Sequence, residues 1–285
     1  MIDLKRVLLF GATGQLGRAL CARGALGVTR AEVDLRDTNA VQRVIRNGTP
    51  QAVINAAAYT NVDGAEAEEE MALAINCDAP VVMARTARSL KVPFVHVSTD
   101  YVFDGSGTEP WKVENTPQPL NAYGRSKLAG ERAVLAANGQ AVIVRTSWVF
   151  SAHGQNFLRT MLRLAETHRT LRIVDDQIGG PTPAAALAEA CIALCDGRLR
   201  DAVAPGIYHY AGAPDVSWAD FADEIFRVSG ADMTIERVST EEYGKSAAAR
   251  PGNSRLDCSA FEHATGLRRA DWRVELPTII AEAQT

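Results

Sequence analysis

A chain of 285 residues is long enough for one large domain, or for a domain carrying a smaller lobe. Its 30 Lys and Arg stand against 34 Asp and Glu, a net charge of −4, which leaves no footprint for nucleic acid or an anionic membrane. No apolar run approaches the roughly 20 residues that span a bilayer, and the apolar N-terminal segment enters a glycine loop without a small-residue cleavage site, so a cytoplasmic protein is expected. Five scattered cysteines and five histidines without ligand spacing predict free thiols and no metal site.

Residues 5–10 (KRVLLF) predict a buried parallel strand. Gly11-Ala12-Thr13-Gly14-Gln15-Leu16-Gly17 follows at once and opens a helix to about Arg23. Strand, glycine turn and helix in that order are the setting that lifts a glycine pattern above coincidence. Gly11 permits the tight turn, Gly14 lets backbone approach a pyrophosphate, and Gly17 lets the helix close on the strand. The helix N-terminus then turns its amides toward the phosphates. A second strand over 26–29 exits into Arg30, with Glu32 and Asp34 just beyond. An acid at such a strand end suits a ribose 2′-OH and an arginine a 2′-phosphate. Arg30 therefore favours NADPH, with NADH tolerated, unless it only pairs with one of the acids.

A helix over 39–46 leads to a third strand, 52–55, which ends in Ala56, Ala57 and Ala58. Three alanines there form a wall without bulk for a flat cofactor, or else serve tight helix-on-sheet packing. Helical sequence rich in glutamate at its start then reaches Leu90, with an interruption expected at Pro80. A fourth strand, 94–98, delivers Thr99 and Asp100 to the same sheet edge. Residues 105–119 are rich in Gly and Pro and predict a surface loop, a candidate rim for a substrate pocket.

The helix opening at Asn121 carries Tyr123 and Lys127, four apart and so on one face. An ammonium beside a phenol stabilises the phenolate and lowers its pKa from about 10, which suits a proton donor to a carbonyl under reduction. Taken alone, the same spacing also fits an ordinary surface helix. A fifth strand, 140–145, completes the alternation and sends Thr146 to Phe150, Trp148 among them, out of its carboxyl end.

The fold expected is α/β, a doubly wound parallel sheet (Rossmann-like) with a smaller C-terminal α/β substrate lobe. Residues 1–148 form the dinucleotide-binding domain and 149–285 mainly the substrate-binding lobe, with parts of 170–212 rejoining the sheet. Within 149–285 the pattern predicts a helix near 156–167, a strand at 171–174, a helix over 183–195 and a strand at 206–210. A further helix over 217–228 has Ser217 as N-cap and Asp220 at its third position.

In this order, Gly11-x-x-Gly14-x-x-Gly17, Asn55-Ala56-Ala57-Ala58, Ser98-Thr99 and Tyr123-x-x-x-Lys127 resemble the extended short-chain dehydrogenase/reductases. More narrowly, NAAAYTNVDGAE (55–66), STDYVFDG (98–105), YGRSKLAGE (123–131), RTSWVF (145–150), DQIGGPT (176–182) and RPGNSRLD (250–257) resemble the dTDP-4-dehydrorhamnose reductase family. The likeness spans nearly the whole chain. It implies hydride transfer from NAD(P)H to C4 of a dTDP-linked 4-keto-6-deoxy sugar, turning dTDP-4-dehydro-L-rhamnose into dTDP-L-rhamnose. By that resemblance Tyr123 protonates the nascent alkoxide, and Lys127 holds the nicotinamide ribose and lowers the Tyr123 pKa. Thr99 hydrogen-bonds the keto oxygen, with Asp100 beside it, and Val62 and Trp148 touch the substrate. Gly14, Gln15 and Leu16 meet the pyrophosphate, and Asp34 and Leu35 the adenosine side. Gly11, Thr13, Arg30, Ala56, Ala57 and Ala58 complete the cofactor set.

One position departs from the family. Some members form a Mg2+-bridged dimer through a glutamate on the first helix, where this chain has Ala19. A monomer or an unbridged homodimer is therefore expected, with no metal. Two other functions share the pattern: a sugar-nucleotide epimerase or epimerase-reductase, and a non-catalytic regulatory subunit of the methionine adenosyltransferase type. The second has no need to keep Thr99, Tyr123 and Lys127 together.

Overall fold

In the computed structural model, which describes residues 2–244 and 246–284, the chain enters through a 3-10 turn (Leu4–Arg6) whose Lys5 amide donates to the Asp3 side chain. This local cap delays the first strand, so β1 is Val7–Phe10, shorter than the apolar pattern suggests and buried on every residue. There follow α1 (Gln15–Ala22), β2 (Leu26–Val28), α2 (Thr38–Gly48) and β3 (Ala52–Asn55), then α3 (Val62–Ala65) and α4 (Glu69–Leu73). The chain next widens into a π-helical turn, Ala74–Asp78, and runs on as α5 (Ala79–Leu90). The interruption expected at Pro80 is thus displaced upstream. Pro80 sits in the first turn of α5, where its missing N–H is tolerated, and the wide turn before it absorbs the mismatch.

β4 (Phe94–Thr99), α6 (Ala122–Ala137) and β5 (Val142–Thr146) complete the first half. The second half holds β6 (Val149–Phe150), α7 (Phe157–Ala165), β7 (Thr170–Val174), β8 (Ile178–Gly179), β9 (Thr182–Pro183), α8 (Ala184–Leu199) and β10 (Gly206–His209). β11 (Val216–Ser217), α9 (Trp218–Ser229), β12 (Thr234–Val238), α10 (Thr240–Tyr243), β13 (Asn253–Ser254), α11 (Ser259–Thr265) and α12 (Trp272–Ala283) close the chain.

The central sheet has the order β10-β5-β4-β3-β1-β2, and every pairing in it is parallel. Inner strands such as β1, β3 and β5 are buried throughout, which is why they read as unbroken apolar runs. Leu16 and Leu20 of α1 with Leu187, Cys191 and Cys195 of α8 cover one face. Val41 and Ile45 of α2, Met83 of α5 and Val134 of α6 cover the other. The sheet is therefore doubly wound. Strand order reverses between β1 and β3, so their carboxyl ends part and leave a crevice, the place where such sheets take ligands.

The smaller lobe has its own core, with Phe150, Leu158, Phe221, Phe226, Trp272 and Leu276 packed between α7, α9 and α12. β7 and β12 pair in parallel against it, and β8 joins β11 and β13. Ser217 caps α9 through a capping box with Asp220, as the spacing predicts. The segment 105–119 does not line the crevice. Trp111 stacks on Phe103 at 4.6 Å and donates its indole N–H to the Asn253 carbonyl at 3.0 Å, which ties this loop to the tail instead of the rim. No helix of the described residues is long and apolar enough to cross a membrane.

Candidate active site

A cleft of about 930 Å³ opens at the carboxyl ends of β1, β3, β4 and β5, with α7 and α9 of the lobe across from them. Every residue singled out above for cofactor, substrate or catalysis lines it. They are Gly11, Thr13, Gly14, Gln15, Leu16, Arg30, Asp34, Leu35, Ala56, Ala57, Ala58, Val62, Thr99, Asp100, Tyr123, Lys127 and Trp148.

The glycine turn is shaped by close backbone approach. Gly11 has φ of +91°, and a Cβ there would lie 2.7 Å from the Ala57 amide nitrogen, so the turn after β1 sits directly on the turn after β3. A Cβ on Gly17 would meet the Gly11 carbonyl at 2.0 Å, which seats α1 on the turn. Gly14 caps α1 and would meet only the Gly11 carbonyl, at 3.4 Å, so its other side is open to the cleft. An anion fits at this helix end, where backbone amides and the helix dipole converge.

At the outer end, Glu32 accepts from the Thr29 amide at 2.7 Å and from the Thr29 hydroxyl at 2.8 Å. Asp34 is bound by Arg36 at 2.9 Å, and those hydrogen bonds hold its carboxyl down at about 2. Both acids near Arg30 are thus engaged elsewhere, and among the described residues Arg30 has no ion pair within 4.0 Å. Arg36 was not singled out from the sequence, because its partnership with Asp34 depends on a loop conformation.

α6 brings Tyr123 and Lys127 to the middle of the cleft. Asn121 caps it by accepting from the Gly124 amide at 2.8 Å. Lys127 is almost fully buried, and its Nζ donates to the Val97 carbonyl at 2.7 Å. Burial pushes Lys127 down to about 8, against a smaller upward pull from Glu131. The expected lowering of Tyr123 by this lysine is not met. Burial dominates and pushes the phenol up to about 12, with the Thr99 hydroxyl pulling it down and Asp100 raising it further. The ring itself keeps an edge open to the cleft.

Thr99 lies at the end of β4, where its hydroxyl donates to Asp100 at 3.0 Å and accepts from the Tyr101 amide at 3.2 Å. Burial raises the Asp100 carboxyl to about 6, against the pull of the Ser254 and Thr99 hydroxyls. The Ser98 and Thr146 hydroxyls, buried on β4 and β5 in the floor of the cleft, have no hydrogen-bond partner among the described residues. Unpartnered buried hydroxyls on a cleft floor suit a polar ligand.

Trp148 holds φ of +49°, a costly conformation for a bulky residue. Its indole stacks on Trp218 of α9 at 3.5 Å and 9°, and it lies against Gly179, where a Cβ would come within 2.8 Å of the ring. The 176–182 stretch therefore acts as the seat of Trp148. Arg250 reaches the cleft from the tail and pairs with Asp63 of α3 at 2.9 Å.

Asn76 escaped the reading of the sequence. It sits in the π-helical turn, accepts from the Tyr59 amide at 2.8 Å, and donates to the Ser126 hydroxyl of α6 at 2.9 Å. Buried Glu131 and Arg145 were likewise unread as a pair, and they join at 2.9 and 2.7 Å to tie α6 to β5. Taken as chemistry, a phenol, an amine and a strand-end hydroxyl face an anion-binding helix end across one cleft. That arrangement can hold a dinucleotide along the β1–β3 crevice and polarise a carbonyl beside it.

The comparisons with known proteins agree. The chain matches the model of the RmlD substrate binding domain family over residues 5–285. It is 40% identical over 278 residues to a dTDP-4-dehydrorhamnose reductase of Sinorhizobium fredii, covering 94% of either chain. A dTDP-4-dehydrorhamnose reductase of Clostridium acetobutylicum superposes with TM-score 0.92 at 35% identity, over 98% of this chain and 99% of that one. The Bacillus anthracis enzyme of the same name, solved in complex with NADP, gives TM-score 0.91 at 34% identity, over 97% and 99%. The chain belongs to the dTDP-4-dehydrorhamnose reductase family.

Proposed function

We propose that this oxidoreductase uses NADPH to reduce the C4 keto group of dTDP-4-dehydro-L-rhamnose, giving dTDP-L-rhamnose, with Tyr123 as the proton donor. The observation that carries the reading is Thr99, Tyr123 and Lys127 meeting in one cleft that also holds the glycine turn. NADPH supplies the hydride. Gly14 and the N-terminus of α1 take the diphosphate, Arg30 meets the 2′-phosphate, and Ala56, Ala57 and Ala58 leave room for the cofactor body. Lys127 orients the nicotinamide ribose. Thr99 and Tyr123 converge on the keto oxygen, and the Tyr123 proton passes to the oxygen as it becomes an alkoxide. A phenol pushed up to about 12 stays in its donor form throughout the neutral range, and an alkoxide is basic enough to take that proton. Asp100, Val62 and Trp148 hold the sugar nucleotide.

The test is NADPH oxidation against a panel of nucleotide-linked 4-keto sugars made in situ by a dehydratase and an epimerase. Turnover with the dTDP-linked 4-keto-6-deoxy sugar is expected. Interconversion of a sugar nucleotide without NADPH consumption would mark an epimerase. An absence of any turnover, with all partners of the reaction present, would leave the regulatory reading.

A further inference from the structure

His96 lies in the centre of β4, fully buried, and the proposed chemistry gives it no task. Its Nδ1 is 2.9 Å from the Asn55 Nδ2, and its Nε2 is 3.5 Å from the Lys127 Nζ. The Asn55 amide has one orientation, because its Oδ1 accepts the Ala57 N–H at 3.1 Å. Nδ2 therefore faces the ring, and Nδ1 has to accept. A neutral imidazole carries one proton, which then sits on Nε2 and points at Lys127.

An ammonium has three donors and no acceptor, so it would meet that N–H donor to donor. A neutral amine offers a lone pair to His96 and still donates to the Val97 carbonyl, 2.7 Å away. The groups around the pair do not reverse this preference. Among the described residues no carboxylate lies within 4.0 Å of Lys127. Glu131, the next acid along α6, has both oxygens on Arg145 of β5. Tyr123 is the remaining titratable group on that face of α6, with Asp100 beyond it acting on the phenol. From β3 comes only the neutral Asn55, and on β4 the apolar ring of Phe94 stacks on the imidazole at 6.3 Å.

We propose that Asn55 and His96 form a buried relay that tunes the basicity of Lys127, locking the imidazole as the Nε2–H tautomer so that the ammonium is destabilised relative to the neutral amine. His96 is thereby a positioning residue acting through Lys127. The direction in which burial moves both groups agrees, with Lys127 pushed down to about 8 and His96 held neutral. The consequence for turnover rests on the reductase reading; the tautomer does not. Where the ammonium form grips an anionic cofactor, kcat/KM for NADPH declines at a pH that the relay dictates.

The direct test is a long-range 1H–15N spectrum of the uniformly labelled protein, with the His96 signals assigned by their loss in His96→Gln. A protonated Nε2 and a bare Nδ1 are expected between about pH 6 and 9. The Nδ1–H tautomer, or an imidazolium, overturns the proposal whether or not the chain reduces any sugar, and the wild-type spectrum decides even where a variant fails to fold. The second test uses Asn55→Asp, which keeps an oxygen on Ala57 and places an acceptor before Nδ1. That reverses the tautomer and turns the Nε2 lone pair toward Lys127. In this variant, and in His96→Gln with its amide oxygen facing Nζ, the basic limb of kcat/KM for NADPH should move up by about one pH unit. A lowered kcat/KM with the limb unmoved would mean a structural role alone and would refute the relay.

Discussion

Replacing Tyr123 by Phe removes one oxygen from the cleft and nothing that holds α6. The helix is fixed by the Asn121 cap, by Asn76 on Ser126 and by Glu131 on Arg145, none of which involves the phenol. Thr99 keeps both Asp100 at 3.0 Å and the Tyr101 amide at 3.2 Å, so no buried donor loses its sole partner. The cost to the fold is therefore at most about 1 kcal/mol. The rate effect is far larger. A positioned general acid contributes about 10²–10⁴-fold, or about 3–5.5 kcal/mol of barrier. Steady-state NADPH oxidation should show kcat reduced by that factor, while cofactor fluorescence titration gives a Kd changed by no more than about twofold. An active Tyr123→Phe variant would refute Tyr123 as the acid. Loss of cofactor binding in step with activity would show instead that the phenol serves binding.

Arg30→Ala should raise KM for NADPH about 10- to 100-fold, the worth of a hydrogen bond to a charged phosphate, and leave NADH nearly unchanged; equal effects on both cofactors would mean that Arg30 never meets a 2′-phosphate. Glu131→Gln leaves the Arg145 guanidinium buried without its countercharge, both side chains being only 2% exposed, and should cost about 3–5 kcal/mol, read as a fall in the unfolding midpoint on the order of 10 °C. Asp100→Asn tests a pH dependence. The folded Asp100 titrates near 6 and the unfolded carboxyl near 3.8, so the folded state binds the extra proton between them and stability falls as pH rises through that window. The variant should match the wild type near pH 4 and be more stable by on the order of 1–3 kcal/mol at pH 7, read as a higher unfolding midpoint, while losing affinity for the sugar. Parallel midpoints across that range would show that Asp100 is not destabilised by its burial.

What could be read from the residues was what is encoded locally. The glycine turn, the apolar strands, the Ser217 capping box and the Tyr123–Lys127 spacing all lie within a few positions of one another, and each has a period or signature of its own. The unread features join distant segments. Asp63 meets Arg250 across 187 positions, and Trp218 backs Trp148 from the far side of the lobe. Nothing near Arg145 or His96 in the chain names their partners, which come from α6 and β3. Pro80 did leave a local mark: it has no N–H for the carbonyl of Asn76 four residues back, and the π-helical turn Ala74–Asp78 opens there. What the sequence does not show is the partner, since α6 packs on that turn, where a Cβ on Gly130 would meet the Asn76 carbonyl at 2.0 Å.

Contacts of the same long-range kind bear on how one helix could carry the proposed chemistry. Apolar packing tolerates rotation and repacking of a helix at modest cost, whereas a proton donor has to be placed to within a fraction of an ångström. α6 meets that demand through buried polar contacts to three separate elements: Ser126 to the π-helical turn, Lys127 to β4 and Glu131 to β5. Gly124 and Gly130 bring it close enough for these bonds, since a Cβ on either would lie within 2.2 Å of a carbonyl oxygen. Each contact ties the helix to a different element, and together they fix the backbone from which Tyr123 projects. The buried Glu131–Arg145 pair under α6 is thus a cost to stability that such precision requires.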